Sequence, residues 1–162
     1  MGRIGRDVRC FALDIDSGKK RWATTIGTTS RNVMSTPTVH DGLVYALDPD
    51  GELVCLYAAD GRIAWRRSFL KDFGGRLMSG RGYCESPLID GDRLICTPGG
   101  EQAMLVALDR RTGKVIWKAD IPEIGKKGRD GAAFSSIVVS KAAGNTGRAS
   151  CKVCVLFLVG VD

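Results

Sequence analysis

The chain has 162 residues, 44% of them hydrophobic and 26% charged, with a net charge of +6. That suits one soluble globular domain. The basic residues are scattered, with no block of like charge and no aromatic-and-basic nucleic-acid motif, and the longest apolar run, Val153 to Val161, is far short of the roughly 20 residues of a membrane helix.

The N-terminal "MGRIGRDVRC" lacks the apolar stretch of a signal peptide. The protein is therefore either cytoplasmic or missing its true start. The first recognisable phrase is "ALDIDSGKKRW", Ala12 to Trp22, in a partial unit over 8–32. It reads as a strand, a tight turn at Gly18 and a strand ending on Trp22. Glycine suits such a turn because it adopts positive φ without a Cβ clash.

A full unit follows over 33–67. "STPTVHDGLVYAL" begins at Ser35 and has an Asp-Gly hairpin at Asp41-Gly42. Leu43, Tyr45 and Leu47 fall on one strand face, Val44 and Ala46 on the other. A turn at "DPDG", Asp48 to Gly51, leads to "CLYAADGRIAW", which repeats the first phrase with Gly61 and Trp65.

The linker "KDFGGRLMSGRGYCES", Lys71 to Ser86, is long, glycine-rich and charged. Long loops on rigid scaffolds often carry function. Gly74, Gly75, Gly80 and Gly82 would let backbone N–H groups approach an anion, with Lys71, Arg76 and Arg81 nearby. The next unit, 83–118, holds "ESPLIDGDRLICT" from Glu85, with a turn expected at Asp90-Gly91, and "ALDRRTGKVIW" with Gly113 and Trp117. A second linker, Ala119 to Phe134, carries Arg129 and Asp130. A partial unit over 132–162 ends on "GVD", the start of a fourth copy.

Trp22 and Trp65 are 43 residues apart, Trp65 and Trp117 52. Four short strands per 40–50 residues is the period of a β-propeller blade. The fold class is therefore all-β: blades of four antiparallel strands, about three to four of them, in a single incomplete propeller over 1–162. A β-sandwich with regular turns is the competing architecture.

Chemical motifs are sparse. The single histidine, His40, leaves no Ser-His-Asp arrangement. Of six cysteines, Cys55 and Cys96 sit in apolar strands as small hydrophobes. Cys151 and Cys154 form a lone C-x-x-C without a second pair. On a strand, positions i and i+3 point to opposite faces. No metal site and no catalytic residue is assigned.

The three phrases resemble the pyrroloquinoline quinone (PQQ) repeat, A-x-D-x-x-T-G-x-x-x-W. "ALDRRTGKVIW" matches throughout, "ALDIDSGKKRW" has Ser17 for Thr, and "CLYAADGRIAW" has Tyr57 for Asp and Asp60 for Thr. The resemblance implies that Trp22, Trp65 and Trp117, with Gly18, Gly61 and Gly113, dock blades to one another. It places the two linkers on one loop face, where Lys71, Asp72, Arg76, Arg81, Glu85, Arg129 and Asp130 are candidates for binding a protein, peptide or sugar. It implies a non-catalytic scaffold in the periplasm or cell envelope of a bacterium, with no cofactor. The alternative is a piece of a quinoprotein alcohol dehydrogenase with PQQ on calcium. Calcium needs six to eight oxygens, and no motif ties Glu85, Asp72 or Asp130 to such a set. A half blade at each end implies a fragment of a longer reading frame, or self-association of two copies to close a ring.

Overall fold

The computed structural model describes residues 1–120, 131–132, 136–140 and 154–156. Three sheets account for most of it. The first joins β1 (Gly2–Ile4), β2 (Asp7–Leu13) and β3 (Lys20–Thr28). The second joins β4 (Thr38–His40), β5 (Leu43–Leu47), β6 (Glu52–Tyr57) and β7 (Ile63–Ser68). A short helix, α1 (Phe69–Phe73), leads away from it. The third joins β8 (Leu88–Asp90), β9 (Arg93–Cys96), β10 (Leu105–Asp109) and β11 (Val115–Ala119). A fourth pair, β12 (Val138–Ser140) and β13 (Cys154–Leu156), is antiparallel. Each sheet is a meander with neighbours in sequence order, the all-β propeller-blade arrangement expected from the repeat.

The alternation read from the sequence holds, and both strand faces are buried. Leu43, Tyr45 and Leu47 pack with Leu53, Cys55, Leu94, Cys96, Val106 and Leu108 between the second and third sheets. Val44 and Ala46 pack with Val8, Cys10, Ile26, Val54 and Leu56 between the first and second. A third cluster joins Ile95, Ala107 and Ile137. Each fully buried Leu, Val or Ile contributes about 1.5–3 kcal/mol relative to exposure. The blades are therefore held by buried apolar interfaces on both sides of the middle strands. Cys10, Cys55 and Cys96 are buried free thiols within them.

The small residue that opens each phrase has a defined partner. Ala12 pairs with Trp22, Cys55 with Trp65 and Ala107 with Trp117. The register then slips by one residue in all three sheets, a β-bulge just ahead of the turn. Small side chains leave room for the indole opposite. The tryptophans do not end their strands, contrary to the sequence expectation. β3 runs on to Thr28, β7 to Ser68 and β11 to Ala119, because these outer strands continue to pair with β2, β6 and β10.

One turn is also displaced from its expected place. His40 pairs with Leu43, so Asp41-Gly42 is the two-residue loop. Asp90 instead pairs with Arg93, and the loop is Gly91-Asp92. The strand register at this hairpin overrides the Asp-Gly dipeptide.

The inner edges of the blades are tied by a repeating contact. The Thr36 N–H donates to Ser86 Oγ at 3.1 Å, and the Ser86 N–H donates to Ser136 Oγ at 3.2 Å. Each donor lies 50 residues from its acceptor. Equivalent positions of successive repeats thus meet around the inner edge.

Candidate functional site

The blades present two ends with different chemistry. One end carries the Gly-containing turns. Asp109 Oδ1 accepts from the Thr112 N–H at 2.8 Å and from Thr112 Oγ1 at 2.7 Å, and Asp14 Oδ1 brackets Ser17 in the same way. These bonds hold both exposed carboxyls below the usual carboxylate range. Tyr57 cannot make this bracket. Its turn keeps the backbone bonds, Gly61 N–H to Tyr57 O and Tyr57 N–H to Arg62 O, and Asp60 Oδ1 accepts from the Arg62 N–H at 3.0 Å instead.

This end docks one blade on the next. Trp22 Nε1 donates to the Ala58 carbonyl at 2.8 Å, and Thr24 Oγ1 donates to the Gly61 carbonyl at 2.7 Å. Trp65 Nε1 donates to the Arg110 carbonyl at 3.1 Å, and Arg67 Nε donates to the Gly113 carbonyl at 2.8 Å. A Cβ on Gly61 would stand 2.6 Å from Trp22, and one on Gly113 2.8 Å from Trp65. Each tryptophan therefore lies on the turn glycine of the following blade. Gly18 differs: nothing lies within 4 Å of a Cβ built there. Trp117 packs against the Ile95, Ala107 and Ile137 cluster. Arg110, 4% exposed, spans the second interface to Asp41 at 2.7 Å and pairs within its own blade with Asp92 at 3.4 Å.

The other end is the loop face. Its framework is apolar. Phe69 and Phe73 of α1 bury against Tyr83, and the Phe69 and Tyr83 rings meet edge to face at 5.1 Å. Tyr83 Oη donates to the Pro98 carbonyl at 2.8 Å, while the Tyr83 N–H donates to the Pro49 carbonyl at 3.0 Å. One tyrosine thus ties the linker to the loops of two blades.

The structure sorts the candidate residues into separate places. Arg81 lines a cleft of ≈ 460 Å³ with Ser30, Arg31, Asn32, Met34 and Gly80. Arg31 there pairs with Asp50 and donates to the Gly80 carbonyl. Asp72 and Arg76 line a second cleft, of ≈ 340 Å³, with Phe73, Glu101 and Lys118. The Lys118 ammonium stands 5.4 Å from the centre of the Phe73 ring. Lys71 is exposed on α1 and lines neither cleft. Asp72 Oδ2 accepts from the Ser68 N–H at 3.0 Å, closing the start of α1. Arg129 and Asp130 lie outside the described residues.

Glu85 is in a different setting from the rest. It is 1% exposed and accepts from the Thr97 N–H at 2.6 Å and from the Thr97 hydroxyl. Burial pushes its carboxyl up to about 8. The glycines also behave differently from the sequence expectation. The Gly74 and Gly75 N–H groups are spent on the Leu70 and Phe69 carbonyls. They terminate the helix instead of opening toward an anion.

Sequence reasoning missed Asp48. It is 1% exposed, with Oδ1 accepting from the Asp50 and Glu52 N–H groups at 2.9 and 2.8 Å. Its Oδ2 is buried without a partner, and burial raises the carboxyl to about 6. The "DPDG" phrase marks the turn but not the neighbouring strand that covers it. Arg31 and Met34, in the segment joining β3 to β4, and Lys118, in β11, were also missed, because they lie outside the two linkers singled out in the sequence.

No three His, Cys, Asp or Glu side chains converge for a metal among the described residues. With Glu85 closed on Thr97 and Asp72 on Ser68, these residues do not build the oxygen-rich set that calcium beneath a quinone requires. No catalytic step follows from them.

The family model described as outer membrane protein assembly factor BamB matches residues 6–149. The chain belongs to the BamB family. It is similar to the outer membrane protein assembly factor BamB of Vibrio cholerae serotype O1, 30% identical over 130 residues, which cover 75% of this chain and 32% of that protein. The chain thus spans about a third of the length of that curated relative. The solved BamB of Moraxella catarrhalis superposes with a TM-score of 0.51 at 21% identity, over 70% of this chain and 30% of that one. A europium-containing methanol dehydrogenase gives 0.54 at 20% identity, over 68% and 21%. A quinohemoprotein alcohol dehydrogenase from Comamonas testosteroni gives 0.52 at 20% identity, over 70% and 18%. At these identities the structural likenesses carry the fold alone. BamB-family membership joins the docked blades to a PQQ-type propeller.

Proposed function

We propose that this chain is part of a non-catalytic binding scaffold of the bacterial cell envelope, and that its loop face takes a protein partner. Membership of the BamB family is the observation that carries the reading. The loop face supports it: two clefts open on a frame fixed by Phe69, Phe73 and Tyr83, rimmed by Arg76, Arg81, Glu101 and Lys118. A rigid propeller end with charged loops suits recognition of another protein.

The reading is tested by placing a photo-crosslinking amino acid at Arg76 or Arg81, and at Arg21 on the opposite end, in cells producing the protein. Crosslinks to a discrete envelope protein from the first two positions and not from Arg21 are expected. Equal labelling from all three, or none from the loop face, sinks the reading.

A further inference from the structure

Asp48 sits where the first blade meets the second, with its two oxygens in different settings. Oδ1 accepts from the Asp50 and Glu52 N–H groups of its own turn. Oδ2 has no partner, and the backbone of Gly27 in β3 closes over it so tightly that a Cβ there would overlap it. An ionised carboxylate with one bare, buried oxygen bears a cost of lost hydration that a neutral carboxyl escapes. The nearby cations are engaged elsewhere. Arg66 of β7 reaches Glu52 at 3.4 Å, and Arg31, just beyond β3, pairs with Asp50. From β3 itself come Thr25, Ile26 and Thr28, which carry no charge. From the linker, Tyr83 packs against Gly51 of the same turn, its hydroxyl donated to the Pro98 carbonyl.

We propose that Asp48 is a proton-operated latch: while its carboxyl is neutral the first blade stays docked on the second, and when it ionises the docking loosens. With Oδ1 holding two N–H groups, the proton resides on Oδ2. It leaves to solvent as β3 lifts and water enters from the cleft lined by Thr25, Thr28, Asp50, Glu52 and Arg66. The docked blades hold the carboxyl up at about 6, through burial, against an ordinary 3.8. Docking is therefore strongest at low pH, weakens as pH rises from about 4 to about 6, and levels off above. The latch reaches the loop face through Arg31, which lines two of its clefts. The partner of Arg31, Asp50, is bonded to Asp48 through its N–H, and Arg31 itself follows β3 by three residues. Loosening between β3 and the turn thus acts on both ends of the Arg31–Asp50 pair. The latch belongs to the chain alone; only its effect on a bound protein rests on the loop-face reading.

The test is NMR on the full chain in a Glu85→Gln background, which removes the other buried carboxyl that titrates in this range. Hydrogen exchange of two indole N–H groups reads the two interfaces separately. Trp22 Nε1 donates to Ala58 across the first, and Trp65 Nε1 donates to Arg110 across the second. After correction for a free indole at each pH, exchange at Trp22 is expected to speed up about tenfold between pH 5 and pH 7, and at Trp65 to stay level. Asp48→Asn keeps an acceptor for the turn without a charge and is expected to lose the Trp22 response. The Asp48 carboxyl carbon is expected to titrate near 6. Equal responses at Trp22 and Trp65, a response kept in Asp48→Asn, or an Asp48 that titrates at an ordinary 3.8 overturns the proposal. If the asparagine variant does not fold, the carboxyl titration and the comparison of the two indoles still decide. The crosslinking experiment reads a protein partner and is independent of this outcome.

Discussion

Trp65 of the second blade lies against Gly113 of the third, so closely that a Cβ there would stand 2.8 Å from the indole. Gly113 has φ +68°, and Gly18, at the same position of the first blade, has φ +64° with nothing within 4 Å. The two glycines separate backbone cost from docking cost. Alanine at either position takes on about 1–2 kcal/mol for the left-handed backbone. Only Gly113→Ala also drives a methyl into a tryptophan, a further loss of about 1–3 kcal/mol. We predict that Gly113→Ala lowers the urea midpoint clearly more than Gly18→Ala. Equal losses would mean that the Trp65–Gly113 contact carries no docking energy.

The indole N–H of Trp65 is a smaller part of that contact than its ring. It donates to the Arg110 carbonyl at 3.1 Å, and Tyr45 Oη donates to the same oxygen at 3.1 Å. That carbonyl keeps a partner if Trp65 loses its N–H. Trp65→Phe should therefore cost about 1 kcal/mol for the bond plus some lost packing. Trp65→Ala should cost about 3–5 kcal/mol. Chemical denaturation of both variants checks the ordering, and similar losses would contradict it.

Much of this interface is legible in the sequence, because aligning the three repeats puts Gly18, Gly61, Gly113 and the three tryptophans in register. The alternation of β5 is legible for a similar reason, since it needs only the period of two. Two kinds of feature are not. The hairpin at Gly91-Asp92 is set by pairing of Asp90 with Arg93, a cross-strand relation that a dipeptide does not encode. The environments of Glu85 and Asp48 depend on Thr97 and Gly27, residues brought close only by folding. A carboxylate in a loop segment reads as exposed, and burial by residues distant in sequence leaves no local trace.

Glu85 gives the protein a pH dependence of defined sign. Its carboxyl rises from an ordinary 4.5 to about 8 in the folded chain, through burial. Between those values the folded protein keeps a proton that the unfolded chain has released. Stability therefore falls as pH rises through this window, by up to about 1.4 kcal/mol per unit, and levels off above it. Glutamine at this position can accept from the Thr97 N–H and donate to its hydroxyl without a charge. We predict that Glu85→Gln matches the parent near pH 5 and exceeds it in stability by a margin that grows up to pH 8. Asp48, raised to about 6, titrates in both proteins and cancels in the comparison. Urea midpoints at pH 5, 7 and 9 read the difference, and a constant gap across that range would refute the burial of an ionisable Glu85.

Asp48 and Gly27 form the other coupled pair. Gly27 belongs to β3, and its backbone covers the buried Asp48 carboxylate so closely that a Cβ would overlap Oδ2. That oxygen has no hydrogen-bond partner, while Oδ1 closes the turn through the Asp50 and Glu52 N–H groups. Gly27→Ala should cost about 1–3 kcal/mol as overpacking between the first two blades. Asp48→Ala alone loses the two turn bonds, each worth about 1 kcal/mol, but it removes the oxygen that the new methyl would strike. The double variant should therefore be less damaged than the sum of the two singles, with a coupling of about 0.5–3 kcal/mol. A double-mutant cycle by denaturant unfolding measures it. Simple additivity would show that Gly27 is small for some reason other than Asp48, and would separate the first blade's packing from the turn chemistry of the second.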